Sequence, residues 1–270
     1  GSLVEDVATA GVPSLDSLRS HGSQIVRGLI EPEVIETVHR FLSSSIADAD
    51  AILGKAGLSV SDPEFGARTA DISEPDLPPD VASVLLGHFP LETRLSRVLW
   101  SIARLPDVQE LMRTVLDSEP LFMHLPPTAR YVLPHNRRAA VPPHQDVSYN
   151  RHMADFAIMW VPLVSIDEHC GGVAVYDGSH LGGEQQRGAD GAGWLGATRT
   201  DGLQRSVCAP MEPGDVLLLD RWIIHESVAN ESPDTRISVD YRFFGGPPKS
   251  DKHYLDFQTM EVIEPGSQAP

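Results

Sequence analysis

Cysteine is nearly absent, with two residues, Cys170 and Cys208, in 270. That excludes a scaffold built on disulfides and suits a reducing cytoplasm, with both thiols expected as small buried hydrophobes. Positive charge is scarce too. Lys and Arg number 21 against 38 Asp and Glu, a formal net charge of -17 at pH 7. The chain therefore lacks the basic footprint of a nucleic-acid binder and is a poor match for anionic membrane surfaces. No apolar run approaches the roughly 20 residues that span a bilayer. The N-terminal stretch has no basic-then-apolar secretory pattern, so a cytoplasmic location is expected. Internal repeats and low-complexity tracts are also missing. What is present is ordinary for a globular protein: 41% hydrophobic residues, enough to bury one core in a single domain spanning 1–270.

Along the chain, 1–20 reads as a lead into a short helix, and 21–30 as a short strand. Pro32 sits where a helix can begin, and Val34, Ile35, Val38, Phe41 and Leu42 recur at helical spacing, which predicts an amphipathic helix over 32–53. Residues 61–80, rich in Pro, Asp and Gly, read as a long loop with Arg68 solvated. Leu91, Leu95, Val98, Leu99 and Ile102, then Val108, Leu111, Met112, Val115 and Leu116, predict two more helices broken at Pro106.

From about 121 the period shortens. Segments rich in β-branched and aromatic residues at 129–133, 143–149, 156–164, 172–176, 206–210, 215–219, 223–228 and 236–244 alternate with Gly, Pro and Asn. The expected fold is mainly β with flanking α-helices: a helical part over about 1–120, a sandwich or barrel over about 121–248, and a tail at 249–270. A Gly-rich insertion at 181–205, containing Arg187, Trp194 and Arg199, is expected to act as a lid.

One stretch concentrates chemistry. His144 and Asp146 stand two apart in a segment read as extended, and so on one face. A nitrogen and an oxygen ligand on one face, joined by a second histidine, form the facial set of non-haem Fe(II) oxygenases, which leaves positions open for reactants. His225 arrives downstream, behind the apolar strand 215–219 and ahead of Arg236. A His-x-Asp tripeptide alone is common by chance, and it is this company that gives it meaning.

Five pieces in order then resemble the phytanoyl-CoA dioxygenase family of Fe(II)/2-oxoglutarate oxygenases. They are His144-Gln145-Asp146, Trp160, Gly171-Gly172-Val173 leading to Asp177-Gly178-Ser179-His180, Glu212-Pro213-Gly214-Asp215, and His225-x-Ser227 with Arg236. Within the family the pattern is most like that of bacterial hydroxylases of natural-product pathways. The resemblance implies a double-stranded β-helix (jelly roll) with iron at its mouth, held by His144, Asp146 and His225. It implies 2-oxoglutarate as cosubstrate, gripped by Arg236 with Ser227, and flanked by Trp160 and Gln145, together with O2. A carboxylate at Asp146 favours oxygenation over halogenation. Gln145 points to the opposite strand face by geometry, and Trp160 could equally be barrel core.

The expected partner is a compact small-molecule metabolite contacted by Arg130, Trp194 and Arg199, with hydroxylation as the default outcome and desaturation, epoxidation or rearrangement sharing its first steps. The competing reading is a small-molecule-binding barrel or a cupin-like metal protein that does not use 2-oxoglutarate. His180 is expected to be structural, His39 to lie on the surface, and His135, His152, His169 and His253 to lie in loops.

Overall fold

The computed structural model describes residues 4–5, 14–72, 77–153, 155–185, 187–189, 195–197, 200–246 and 250–265. Helices dominate the first half: α1 (Asp16–His21), α2 (Pro32–Ser44), α3 (Ala49–Gly54), α4 (Phe65–Asp71), α5 (Pro79–Leu85), α6 (Leu91–Arg94), α7 (Trp100–Ala103) and α8 (Pro106–Leu116). Strands β1 (Val4–Glu5) and β2 (Ser23–Val26) interleave with them. The second half is β: β3 (Phe122–His124), β4 (Thr128–Val132), β5 (Phe156–Pro162), β6 (Val173–Tyr176), β7 (Arg187–Ala189), β8 (Leu195–Ala197) and β9 (Arg205–Val207). It closes with β10 (Val216–Asp220), β11 (His225–Ser227), β12 (Arg236–Phe244), β13 (Tyr254–Asp256) and β14 (Val262–Ile263).

The larger sheet runs β1-β2-β10-β5-β12-β3-β13-β14, with β4 also on β12, and the smaller runs β11-β6-β9. All pairings among these strands are antiparallel except β1 with β2. The β-rich half is the expected jelly roll. Because strand side chains alternate between faces, the large sheet serves two cores. Met159 and Val161 of β5, Val216 and Leu218 of β10, and Val239, Tyr241 and Phe243 of β12 pack toward the helices. Ile158 and Trp160, and Leu217 and Leu219, face the interior between the sheets. On β12 the interior face carries Arg236, Ser238, Asp240 and Arg242 before ending on apolar Phe244, and this polar stripe is where the site forms.

The helix predicted over 32–53 is two helices. The Ser44 and Ser45 hydroxyls both donate to the Phe41 carbonyl, at 2.7 and 3.1 Å, and such back-bonding competes with continuation of the helix. The stretch 91–102 is likewise split into α6 and α7, with Ser96 Oγ accepting from the Val98 N–H at 3.3 Å in the break. Instead of a loop throughout, 61–80 contains α4, anchored by buried Phe65. Arg68 there donates to Asp62 at 2.8 Å and to the Gly57 carbonyl at 2.9 Å.

The predicted strand 143–149 is absent. Pro142 and Pro143 have no N–H for a ladder, so only an isolated bridge, His144 to His225, forms before a 3-10 turn at Asp146–Ser148. The expected tail at 249–270 instead supplies β13 and β14, with Tyr254 paired to His124 and Leu255 to Met123.

Candidate metal centre

His144 and His225 face each other across their two-way backbone bridge, with N···O distances of 2.9 and 3.0 Å. Gln145 keeps an extended backbone (φ -113, ψ 132). The His144 and Asp146 side chains therefore still fall on one side although no strand continues. Each imidazole is oriented from behind. His144 Nδ1 lies 2.9 Å from the Pro142 carbonyl, and His225 Nδ1 lies 3.2 Å from the Ile223 carbonyl. A carbonyl only accepts, so each Nδ1 carries the proton and each Nε2 presents its lone pair inward. Those lone pairs point at one carboxylate oxygen: Asp146 Oδ1 is 3.5 Å from His144 Nε2 and 3.8 Å from His225 Nε2. The three ligand atoms lie within 4.8 Å of one another.

The electrostatics suit a cation. Burial, then the neighbouring His144 ring, push the His225 imidazole down to about 4, leaving it neutral at pH 7. Burial alone would raise the Asp146 carboxyl. The Arg242 guanidinium beside it outweighs burial and holds the group well below the usual carboxylate range. Two imidazole nitrogens and one carboxylate oxygen on one face are the donor set that a divalent iron accepts, and the residues present fit it.

The centre opens into a cavity of about 780 Å³ including its mouth, lined among others by Trp160, Ser227, Arg236, Asp240, Arg242 and Arg130. Two of its guanidiniums are unusual. Arg236 is 4% exposed and Arg130 8%, and neither has a carboxylate within 4 Å among the described residues. Arg236 Nη1 donates to Ser238 Oγ, its Nε has no partner among the described residues, and its carbon lies 5.9 Å from the Trp160 ring centre. Burial, then Arg130, lower Arg236 to about 10. Arg130 Nη2 donates to the Leu86 and Ala139 carbonyls at 2.6 and 2.9 Å, and its Nε is also unpartnered among the described residues.

Residues 18–238 match the sequence pattern of the phytanoyl-CoA dioxygenase (PhyH) family. The chain belongs to the phytanoyl-CoA dioxygenase family. A 1-deoxypentalenic acid 11-beta-hydroxylase of Streptomyces exfoliatus is 29% identical over 238 residues, covering 82% of this chain and 77% of the relative. Its namesake from Streptomyces arenae is 32% identical over 139 residues, covering 46% of this chain and 49% of the relative. Among solved structures, the epimerase SnoN in complex with Fe3+, alpha ketoglutarate and nogalamycin RO superposes with a TM-score of 0.56 at 18% identity. That match covers 94% of this chain and 90% of that one, and is a likeness of fold.

Not every residue singled out from the family pattern reaches the cavity. Trp160 and Ser227 line it. Gln145, expected beside the cosubstrate, turns away. Its Nε2 donates to the Gly183 and Trp222 carbonyls at 2.9 and 2.6 Å, and its Oε1 accepts from the Gln185 N–H at 2.8 Å. The physical reason is the extended backbone at Gln145, which sends this side chain opposite to its two neighbours. Trp194 and Arg199 lie outside the described residues. His180 is structural, with Nε2 donating to the Arg19 carbonyl at 3.0 Å.

Sequence reasoning missed Asp240, Arg242 and His124. Burial, together with Asp146, raises the Asp240 carboxyl to about 6 against the opposing pull of Arg242. The signal for two of these was the alternation in Arg236-Ile-Ser-Val-Asp-Tyr-Arg242, which puts four polar residues on one face of an otherwise apolar strand.

Proposed function

We propose that this protein is an Fe(II)- and 2-oxoglutarate-dependent oxygenase that hydroxylates an unactivated C–H bond of a small-molecule metabolite. One observation carries the reading: three potential ligand atoms and two buried guanidiniums with no carboxylate within 4 Å among the described residues converge on one cavity. When bound, iron would activate O2, the oxidant, while 2-oxoglutarate would supply two electrons as it is oxidised to succinate and CO2 and the C–H bond the other two, with one atom of O2 leaving in succinate and the other entering the substrate.

The chain's own residues divide the remaining work. His144, Asp146 and His225 hold the metal. Arg236 takes the far carboxylate of 2-oxoglutarate, because a guanidinium fork matches a carboxylate and a buried charge without a counter-ion is costly. Ser227 adds a hydroxyl from the strand that carries His225, and Trp160 walls the same space. Gln145 serves from outside the cavity, tying the 183–185 segment to the metal-binding stretch. Arg130 orients a polar or anionic group of the substrate, and Trp194 and Arg199 are assigned to the substrate side on sequence grounds alone. The hydroxylase relatives support a compact metabolite as substrate. A cupin-like protein that does not use 2-oxoglutarate would leave the buried Arg236 charge unanswered.

We read 1–270 as one oxygenase domain, since β2 from the helical half and β13–β14 from the C-terminal end join one sheet. No helix among the described residues is long and apolar enough to cross a membrane. The two free, buried cysteines are consistent with a reducing cytoplasm.

The test is succinate release from 2-oxoglutarate with Fe(II), ascorbate and air, followed by a mass-spectrometric screen of candidate metabolites for a gain of one oxygen. Wild type is expected to release succinate, and His144→Ala and His225→Ala to lose both release and iron. Full activity in both variants with stoichiometric iron would falsify the ligand assignment.

A further inference from the structure

The two oxygens of Asp146 have different neighbours. Oδ1 faces the His144 and His225 Nε2 atoms at 3.5 and 3.8 Å. Oδ2 accepts a hydrogen bond from Arg242 Nε at 2.7 Å. Arg242 is itself held at a second point, where Nη1 donates to Thr128 Oγ1 at 2.9 Å. Asp240 of β12 pairs directly with Thr128 of β4, so Arg242, two residues on, projects from the same sheet face and reaches Thr128 diagonally. The Asp146 side chain is 2% exposed and that of Arg242 15%, so little water competes for this contact.

A carboxylate can ligate a metal through one oxygen or through both, and using both takes up an additional coordination position. We propose that Arg242 is a positioning residue of the metal centre: by engaging Asp146 Oδ2 it makes Asp146 a one-oxygen ligand, presenting Oδ1 alone beside the two imidazoles. Neutralising the carboxylate would need only a nearby positive charge. The observed contact is more specific, because a planar guanidinium fixed by Nε at one end and Nη1 at the other sets the plane of the carboxylate as well as its charge. His124 lies on β3, one residue beyond the Met123–Phe243 pair that joins β3 to β12. Burial, then Arg242, push the His124 imidazole down to about 3, so it stays neutral and adds no second cation beside Asp146.

The inference rests on the metal-binding reading of the site, and Co(II) alone, without turnover, separates the two. Wild-type protein is titrated with Co(II), following affinity and the visible ligand-field spectrum, which reports coordination number. Arg242→Gln is expected to bind Co(II) about 10- to 100-fold more weakly, the range typical for loss of a partner that orients a ligand, with an altered spectrum. Arg242→Lys is expected not to restore either, since an ammonium cannot bridge Asp146 Oδ2 and Thr128 Oγ1 in one plane. Thr128→Val keeps the charge and removes one anchor, and should shift the spectrum in the same direction by less. Affinity within twofold of wild type and an unchanged spectrum in folded Arg242 variants would overturn the proposal. Should those variants not fold, unchanged affinity and spectrum in Thr128→Val would overturn it instead. Failure of the wild type to bind Co(II) would bring down the metal reading itself, and this inference with it.

Discussion

A guanidinium shut away from water needs an anion, and Arg236 makes no salt bridge among the described residues, with Asp240 acting on it only from further off. Its hydrogen bond to Ser238 aims the fork without neutralising it. Arg236→Ala should therefore raise the 2-oxoglutarate requirement by one to several decades, as expected for about 2–5 kcal/mol on breaking a buried charge-assisted pair. Metal affinity should be kept. Titration with 2-oxoglutarate in the presence of Co(II) measures both, and an unchanged cosubstrate affinity would move the pocket elsewhere.

His124 makes a different prediction at the same scale. Its folded value of about 3 lies below the ordinary 6.5, so between those values the unfolded chain binds a proton that the folded chain refuses. The stability His124 permits is fully present above about 6.5 and is lost as pH falls through this window, about 2 kcal/mol by pH 5 if the unfolded histidine is ordinary. His124→Leu should flatten that decline. Urea midpoints at pH 7 and pH 5 for the two proteins decide it, and parallel declines would remove His124 as the cause.

Among elements, β12 couples fold to site. Its odd-and-even alternation gives Ile237, Val239, Tyr241 and Phe243 to the helix-side core, while Arg236, Ser238, Asp240 and Arg242 face the cavity. The junction of α5 with β4 sets the other wall. Gly87 has φ +69, and a Cβ there would meet the Tyr131 carbonyl oxygen at 1.9 Å. This close approach lets the Gly87 carbonyl accept from the Tyr131 N–H at 3.1 Å and brings the Leu86 carbonyl to Arg130. Gly87→Ala combines a left-handed penalty of about 1–2 kcal/mol with overpacking of about 1–3 kcal/mol. A loss of about 2–5 kcal/mol is expected in denaturant unfolding, and a loss under 1 kcal/mol would mean the backbone moves aside freely.

At the scale of the molecule, the helices and the C-terminal strands cover a sheet that could not stand alone. Tyr254 and Leu255 of β13 are 1% and 0% exposed and hydrogen-bond β3, the strand that pairs with the distal end of β12. A chain ending at 249 would uncover that edge and its apolar face. It should lose cooperative thermal unfolding or aggregate, whereas a dispensable tail would leave the melting temperature unchanged. Differential scanning calorimetry on the shortened chain distinguishes these outcomes.

The amino-acid sequence by itself determined the family and the strand-rich second half, and it singled out the three residues proposed as ligands. Those signals are local: a ligand pair separated by one residue, a histidine two residues before Ser227, an arginine opening a strand, and period-two apolar runs that need no knowledge of their neighbours. Seven of the eight expected strands occur within a few residues of their predicted places. The eighth failed because two prolines cannot join a ladder, yet His144 and Asp146 still converge, since one extended residue between them suffices. Tertiary structure alone decided the rest. Which way Gln145 turns, what occupies Asp146 Oδ2, and whether the last residues hang free or close a sheet all depend on segments remote along the chain. Arg242 lies 96 residues from Asp146, and a contact that long in sequence leaves no periodicity to read.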